Sequence, residues 1–191
     1  MDEPKANSPD SSQPMILAED LFHRLPILAI SEGEDAVDLI AYEVLNLLMK
    51  GIQADIGQIN LLPKGGRVEK VCIVKDGIPW LRKEMNLHLL DPTKGFTGKV
   101  METGNPLIVE DIWDKQELGS SNPFLEICSF MDNNYIEDIK KPVASTMIMP
   151  IKRGNDVFCT IELSRYRRKP TFTHTEKKPV EEFIHKYGSL I

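Results

Sequence analysis

This chain of 191 residues has only three cysteines, Cys72, Cys128 and Cys159, at wide spacings and with no Cys-x-x-Cys pair among them. An odd set of scattered thiols excludes a disulfide framework and a zinc knuckle, and it points to a reducing compartment, the cytoplasm. His23, His88, His174 and His185 lack the helical or cysteine-paired spacings that close a coordination sphere, so no metal is expected. Long apolar runs are also missing. None approaches the ~18 residues of a membrane span, and no basic segment followed by an apolar one opens the chain, so neither a membrane nor an export route is expected. Positive charge is in deficit, giving a net charge of −6 that opposes the counterion release behind most nucleic-acid affinity. The single basic cluster, Arg165-Tyr166-Arg167-Arg168-Lys169, reads as a solvated loop leaving a strand, and nucleic acid is not expected as a partner.

What remains is ordinary globular material, 41% hydrophobic and 27% charged, enough to close one hydrophobic core. Residues 1–13 hold Pro, Ser, Asn and Asp with scarcely an apolar side chain and read as a disordered tail. Apolar residues return over 14–30, where Pro26 ends a short helix, so this stretch reads as an N-terminal helical extension. The main domain is expected over 31–191.

Within it, Ser31 and Glu34 have capping-box spacing, and Val37, Ile40, Ala41, Val44 and Leu48 then recur at three and four residues, which predicts a helix with one apolar face. Gly51 stands where a left-handed C-cap is wanted. An apolar run over 56–62, a Pro-Lys-Gly-Gly turn at 63–66 and a second run over 68–74 predict an antiparallel hairpin. Gly95 and Gly98 precede a short helix closed by Gly104 and Pro106, and 107–109 is a brief strand. Residues 111–141 mix polar, aromatic and acidic side chains, predicting a covering loop with one irregular helix near 123–131. A second hairpin follows, with strands at 144–151 and 157–164. Thr173 and Glu176 repeat the capping-box spacing before a last helix, in which Pro179 predicts a kink or a later start.

The run GFTGKVMETGNPLIVEDIWD at 95–114 resembles the segment of GAF domains in which a Gly-x-x-Gly turn precedes a helix, then Thr-Gly-x-Pro, a short strand and an aspartate. Ser145-Thr146-Met147-Ile148-Met149-Pro150-Ile151 is similar to the GAF strand that ends in Pro and an aliphatic residue, and 157–163 to its hairpin partner. Phe172-Thr173 before an acidic helix completes a resemblance covering about residues 34 to 188. It implies an α+β fold, with a central antiparallel sheet of about five or six strands, helices on both faces, and a ligand pocket between the sheet and the covering segment. Where GAF strands usually carry Gly, this chain has Cys159, read as a buried structural thiol.

Within that family, the free methionine-R-sulfoxide reductases need a cysteine in the glycine turn and several pocket carboxylates. Here the turn reads Gly95-Phe96-Thr97-Gly98, and Thr146 and Ser164 stand where the reductase is acidic, leaving only Glu162. A bilin thioether and a cyclic-nucleotide signature match no better. No catalytic residue is assigned, and the protein is expected not to be an enzyme.

Alternation along strands puts Thr146 with Ile148, and Thr160 with Glu162 and Ser164. The resemblance implies that these sets face the pocket, while Met147, Met149, Ile161 and Leu163 pack on the terminal helices. Phe96, Trp113, Phe130, Met131 and Tyr135 are the candidate contacts from the covering side. A Glu162 carboxylate in such a pocket must be paired or neutral, favouring a ligand that carries an amine, amide or hydroxyl donor. The expectation is a cytoplasmic, non-catalytic regulatory sensor. It would bind a small molecule of unidentified nature and signal through its terminal helices as a homodimer, with an effector protein or domain as a further partner. The competing expectation is a ligand-free dimerisation or protein-interaction module.

Overall fold

The structure, a computed structural model, describes residues 36–61, 70–79, 94–116, 122–124 and 136–188. The tail at 1–13, the extension at 14–30, the Ser31–Glu34 capping box and the turn at 63–66 lie outside the described residues.

Helix α1 (Ala36–Gly51) carries the predicted stripe, with Ala41, Val44, Leu45 and Leu48 buried against the protein's own sheet. Its end differs from expectation. Gly51 is the last helical residue, and the left-handed position falls instead on Gln53, with φ 54. Ile52 and Ala54 are both apolar and buried, and the turn at Gln53 lets each enter the core while the Ala54 N–H donates to Met49 O at 2.9 Å.

Strands β1 (Ile56–Leu61), β2 (Lys70–Lys75), β3 (Ile78–Pro79), β4 (Leu107–Val109), β5 (Val143–Arg153) and β6 (Asp156–Tyr166) form one six-stranded sheet in the order β3-β2-β1-β6-β5-β4. Every neighbouring pair is antiparallel, as expected for an α+β fold of this kind. The second hairpin is longer than predicted, and Gly154, at φ 64, supplies the positive dihedral its short turn requires.

Helices α2 (Gly95–Thr103) and α3 (His174–Tyr187) pack on opposite faces of this sheet. Gly104 takes the left-handed cap at φ 64 that ends α2, its N–H donating to Val100 O. The sheet has two different faces because strand residues alternate. Met147, Met149, Ile161 and Leu163 are fully buried in a core shared with α1 and with Val180, Phe183 and Tyr187 of α3. Phe96 and Val100 of α2 pack on the other face, with Ile56, Ile73, Val109 and Ile148. A bulge at Ala144 places Val143 and Thr146 on this second face although they are three residues apart.

α1 lies very close to β1 at Gly57, where a Cβ would sit 2.8 Å from Met49 Sδ and 3.0 Å from Leu45 Cδ2. Gly57→Ala overpacks that contact and is expected to lower unfolding free energy by ~1–3 kcal/mol, read from urea midpoints.

α3 starts where its capping box sets it. The Thr173 N–H donates to Glu176 Oε2 at 2.9 Å, and the helix runs unbroken through Pro179, which corrects the expected later start. The basic cluster also departs from expectation, since only part of it is solvated. Arg165 is 6% exposed, stacked 4.1 Å over Phe172 and bonded to Ile52 O and Glu176, while Lys169 pairs with the buried Asp55 at 2.7 Å. Once buried, Arg165 needs acceptors for its donors, and loop carbonyls and one carboxylate provide them for its two terminal nitrogens, leaving Nε without a partner among the described residues.

Burial alone would raise the Glu176 carboxyl, but hydrogen bonds from Arg165 and Thr173 outweigh it and hold the group below its ordinary value. A depressed folded pKa contributes stability that is present above the unfolded pKa and is lost as pH falls through the folded one. Glu176→Gln should therefore be less stable than the parent at neutral pH. The gap between their urea midpoints should close as pH drops from about 7 to about 3.

Candidate functional site

On the α2 face, polar side chains occupy positions that a purely structural sheet would fill with aliphatic ones. Gln58 and Asn60 come from β1, Thr160, Glu162 and Ser164 from β6, and Thr146 from β5; Glu162, at 6%, is the most exposed of them. The register aligns them in rows: Glu162 stands between Gln58 on one side and Ile148 on the other, Asn60 is opposite Thr160, and Thr146 is opposite Ser164. They bond to one another. Gln58 Nε2 donates to Asn60 Oδ1, Asn60 Nδ2 donates to Thr160 Oγ1 at 3.2 Å, and the Thr146 and Ser164 hydroxyls lie 3.0 Å apart.

Glu162 sits in the middle of this stripe. Its Oε1 pairs with Lys140 Nζ, and its Oε2 accepts a long hydrogen bond of 3.4 Å from Thr97 Oγ1 in the first turn of α2. Both members of the ion pair have side chains less than a tenth exposed. Of the two states expected for Glu162, the geometry supports the paired one.

Among the described residues, the covering segment reaches this face through two anchors. Buried Asn122 donates to Ile112 O at 2.9 Å and accepts from the Phe124 N–H at 2.9 Å, which lays the Phe124 ring 6.1 Å from Phe96 and edge-on to Trp113 at 5.4 Å. Trp113 is half-buried, and its indole N–H donates to Val143 O at 3.0 Å beside the β5 bulge. The second anchor is a π-helical turn, Ile136–Lys140, where sequence reasoning placed only irregular loop. Its wide winding closes with the Lys141 N–H on Ile136 O at 2.6 Å, Lys75 Nζ holds Asp138 O at 2.7 Å, and Lys140 is delivered onto Glu162 and 5.8 Å from the Phe124 ring.

Six of the ten candidate contacts, Phe96, Thr146, Ile148, Thr160, Glu162 and Ser164, are thus brought to one face, with Trp113 at its margin. Phe130, Met131 and Tyr135 lie outside the described residues, as does Cys128. The sequence reading missed Gln58, Asn60, Thr97, Phe124 and Lys140. The alternation in 56–61 carried a signal for Gln58 and Asn60, polar at every second place between apolar neighbours. Nothing local marks Lys140, whose partner lies 22 residues ahead.

Two clefts lie away from the stripe. One, of ≈ 450 Å³, runs between the end of α1 and the start of α3, and the other, of ≈ 470 Å³, lies beside the β5–β6 turn and the end of α3. Among the described residues no group of three or more His, Cys, Asp or Glu side chains is placed to hold a metal ion, and no helix is long and apolar enough to cross a membrane.

No family model and no curated protein matched the chain. Solved structures did. The GAF domain of a phosphoenolpyruvate-protein phosphotransferase from Coxiella burnetii superposes with a TM-score of 0.54 at 10% identity, over 90% of this chain and 88% of that one. The GAF domain of an Acinetobacter phosphoenolpyruvate-protein phosphotransferase gives 0.50 at 11% identity, over 86% of each chain. The chain has a GAF-like fold, sharing the architecture of these domains at very low sequence identity.

Cys159 is fully buried on the opposite face, under the terminal helices, and burial pushes its thiol up to about 12. At neutral pH it is a thiol, not a nucleophilic thiolate. Iodoacetamide at pH 7.5 is therefore expected to leave the Cys159 peptide unmodified in the native protein and to alkylate it fully in urea, as peptide mass spectrometry would read.

Proposed function

We propose that this chain is a non-catalytic regulatory sensor that binds a small molecule against the Gln58–Glu162–Thr146 face of its sheet, beneath the covering segment. The observation that supports the reading is the buried polar stripe. Six hydrogen-bonding side chains at the centre of a sheet are poor core material, because each must find a partner, yet they suit a face that meets a polar ligand. In this reading residues 31–191 form the sensor, preceded by an extension at 14–30 and a tail at 1–13. Phe130, Met131 and Tyr135 join Phe96 and Trp113 on the covering side.

The terminal helices α1 and α3 pack on the reverse of the same strands, so they are the elements available to carry a change of state to an effector or to a second copy. The stripe on α1 is already engaged with the sheet, and a homodimer would use its outer surface. The two described cysteines are buried and not joined in a disulfide, which suits the cytoplasm. The high pKa and remote position of Cys159 argue against thiol chemistry on the ligand face.

One observation favours the alternative of a ligand-free interaction module: Lys140 and Phe124 already occupy part of the polar face from within the chain. Mass spectrometry of small molecules released on denaturing the purified protein, followed by thermal-shift titration of the candidates found, separates the two readings. The sensor reading expects a stabilising ligand whose affinity falls by ~10–100-fold in Glu162→Gln. A protein that releases nothing and is stabilised by no metabolite would favour the interaction module.

A further inference from the structure

The carboxylate at the centre of the proposed ligand face has no vacant oxygen, and its strongest partner is not part of the sheet. Lys140 comes from the π-helical turn at the end of the covering segment, and Thr97 from the first turn of α2. Every other member of the stripe is uncharged, and the described bonds among them run within β1, β5 and β6. Glu162 is thus the one charged group of the stripe, and its countercharge is delivered from outside the sheet by the π-helical turn.

We propose that Lys140 is a tethered stand-in for the cationic group of the ligand, which is a small primary ammonium compound that takes over Glu162 Oε1 and releases the π-helical turn. This rests on the reading of the polar face as the ligand face. Two physical points carry it. A carboxylate this buried must keep a cation or become neutral, so a neutral ligand that displaced Lys140 would leave an uncompensated charge, whereas an ammonium ligand exchanges one ion pair for another. The Lys140 side chain also lies 5.8 Å from the Phe124 ring, so the position it occupies combines a carboxylate with an aromatic face, the usual surroundings of a bound organic cation. Lysine on its tether competes at a high effective concentration, so a bare amine should not displace it from the intact protein. The natural ligand must add contacts to the hydroxyl and amide groups of the stripe.

The test is chemical rescue. Lys140→Ala removes the chain atoms beyond Cβ, which n-propylammonium matches in length and charge. Propylammonium chloride should raise the melting temperature of Lys140→Ala by ~2–4 °C over tetramethylammonium chloride at equal ionic strength. It should leave the unmodified protein unchanged, and it should have no effect on Lys140→Ala/Glu162→Gln, in which the carboxylate is gone. Should Lys140→Ala not fold alone, refolding yield with each salt replaces melting temperature as the readout. An equal response to both ammonium salts, or a response that survives in the double variant, overturns the proposal. A neutral metabolite that binds this face of the unmodified protein, with no amine response in Lys140→Ala, overturns it too but leaves the sensor reading standing. Rescue by propylammonium in a protein that binds no metabolite supports the cation site and sinks the sensor reading instead.

Discussion

Among the described residues, the ion pair of Lys140 with Glu162 ties the end of the covering segment to the α2 face of the sheet. Taking both charges out of water costs several kcal/mol for each, and their attraction offsets this only with good geometry and further hydrogen bonds. Removing one partner of such a pair costs more than the pair contributes, about 3–5 kcal/mol, because the other charge is stranded. The consequence is structural. The end of the covering segment, the first turn of α2 and the centre of β6 are fixed relative to one another by groups converging on the two oxygens of one carboxylate.

The rest of the architecture follows from how β6 divides its side chains. Cys159, Ile161 and Leu163 are completely buried on one side, against α1 and α3, while Thr160, Glu162 and Ser164 are buried on the other. A central strand buried on both faces ordinarily reads as a continuous apolar run. Here one face is apolar and the other polar, though neither meets solvent. Antiparallel pairing propagates the division to β1 and β5, since residues opposite each other across a ladder share a face. Likeness to GAF domains at 10% and 11% identity is compatible with this, because the fold needs only the pattern of strands and faces.

That pattern is what made much of the fold legible in the sequence. Richness in strand formers located β5 and β6, alternation sorted their side chains into two sets, the resemblance to GAF domains assigned each set a face, and the Thr173–Glu176 spacing located the start of α3. Signals that depend on distant partners were not legible. The C-cap of α1 moved from Gly51 to Gln53 because Ile52 and Ala54 had core positions to fill, a tertiary demand overriding a local one. Arg165, in a run of basic residues that suggested solvent, is buried because Glu176 and the carbonyl of Ile52 wait for it on other elements. Lys140 escaped notice for the same reason. A charged residue declares itself exposed by its type, and only its partner says otherwise.

Glu162 and Arg165 stand three residues apart on one strand and point to opposite faces of the sheet. Each is buried, and each holds a countercharge that belongs to another element, the covering segment in one case and α3 in the other. Contiguity alone does not couple two sites; coupling requires an element with two discrete arrangements that both sites bias. In the sensor reading the π-helical turn is the element that would have to supply them, a five-residue winding held from outside by Lys75 on Asp138 O and by Glu162 on Lys140. In the sensor reading, the partner that Glu162 chooses then decides the state of that turn, and β6 carries the difference to Arg165 and so to the start of α3. A ligand contacting only the hydroxyl groups of the stripe would fill the face without altering the ion pair, and it would bind without signalling.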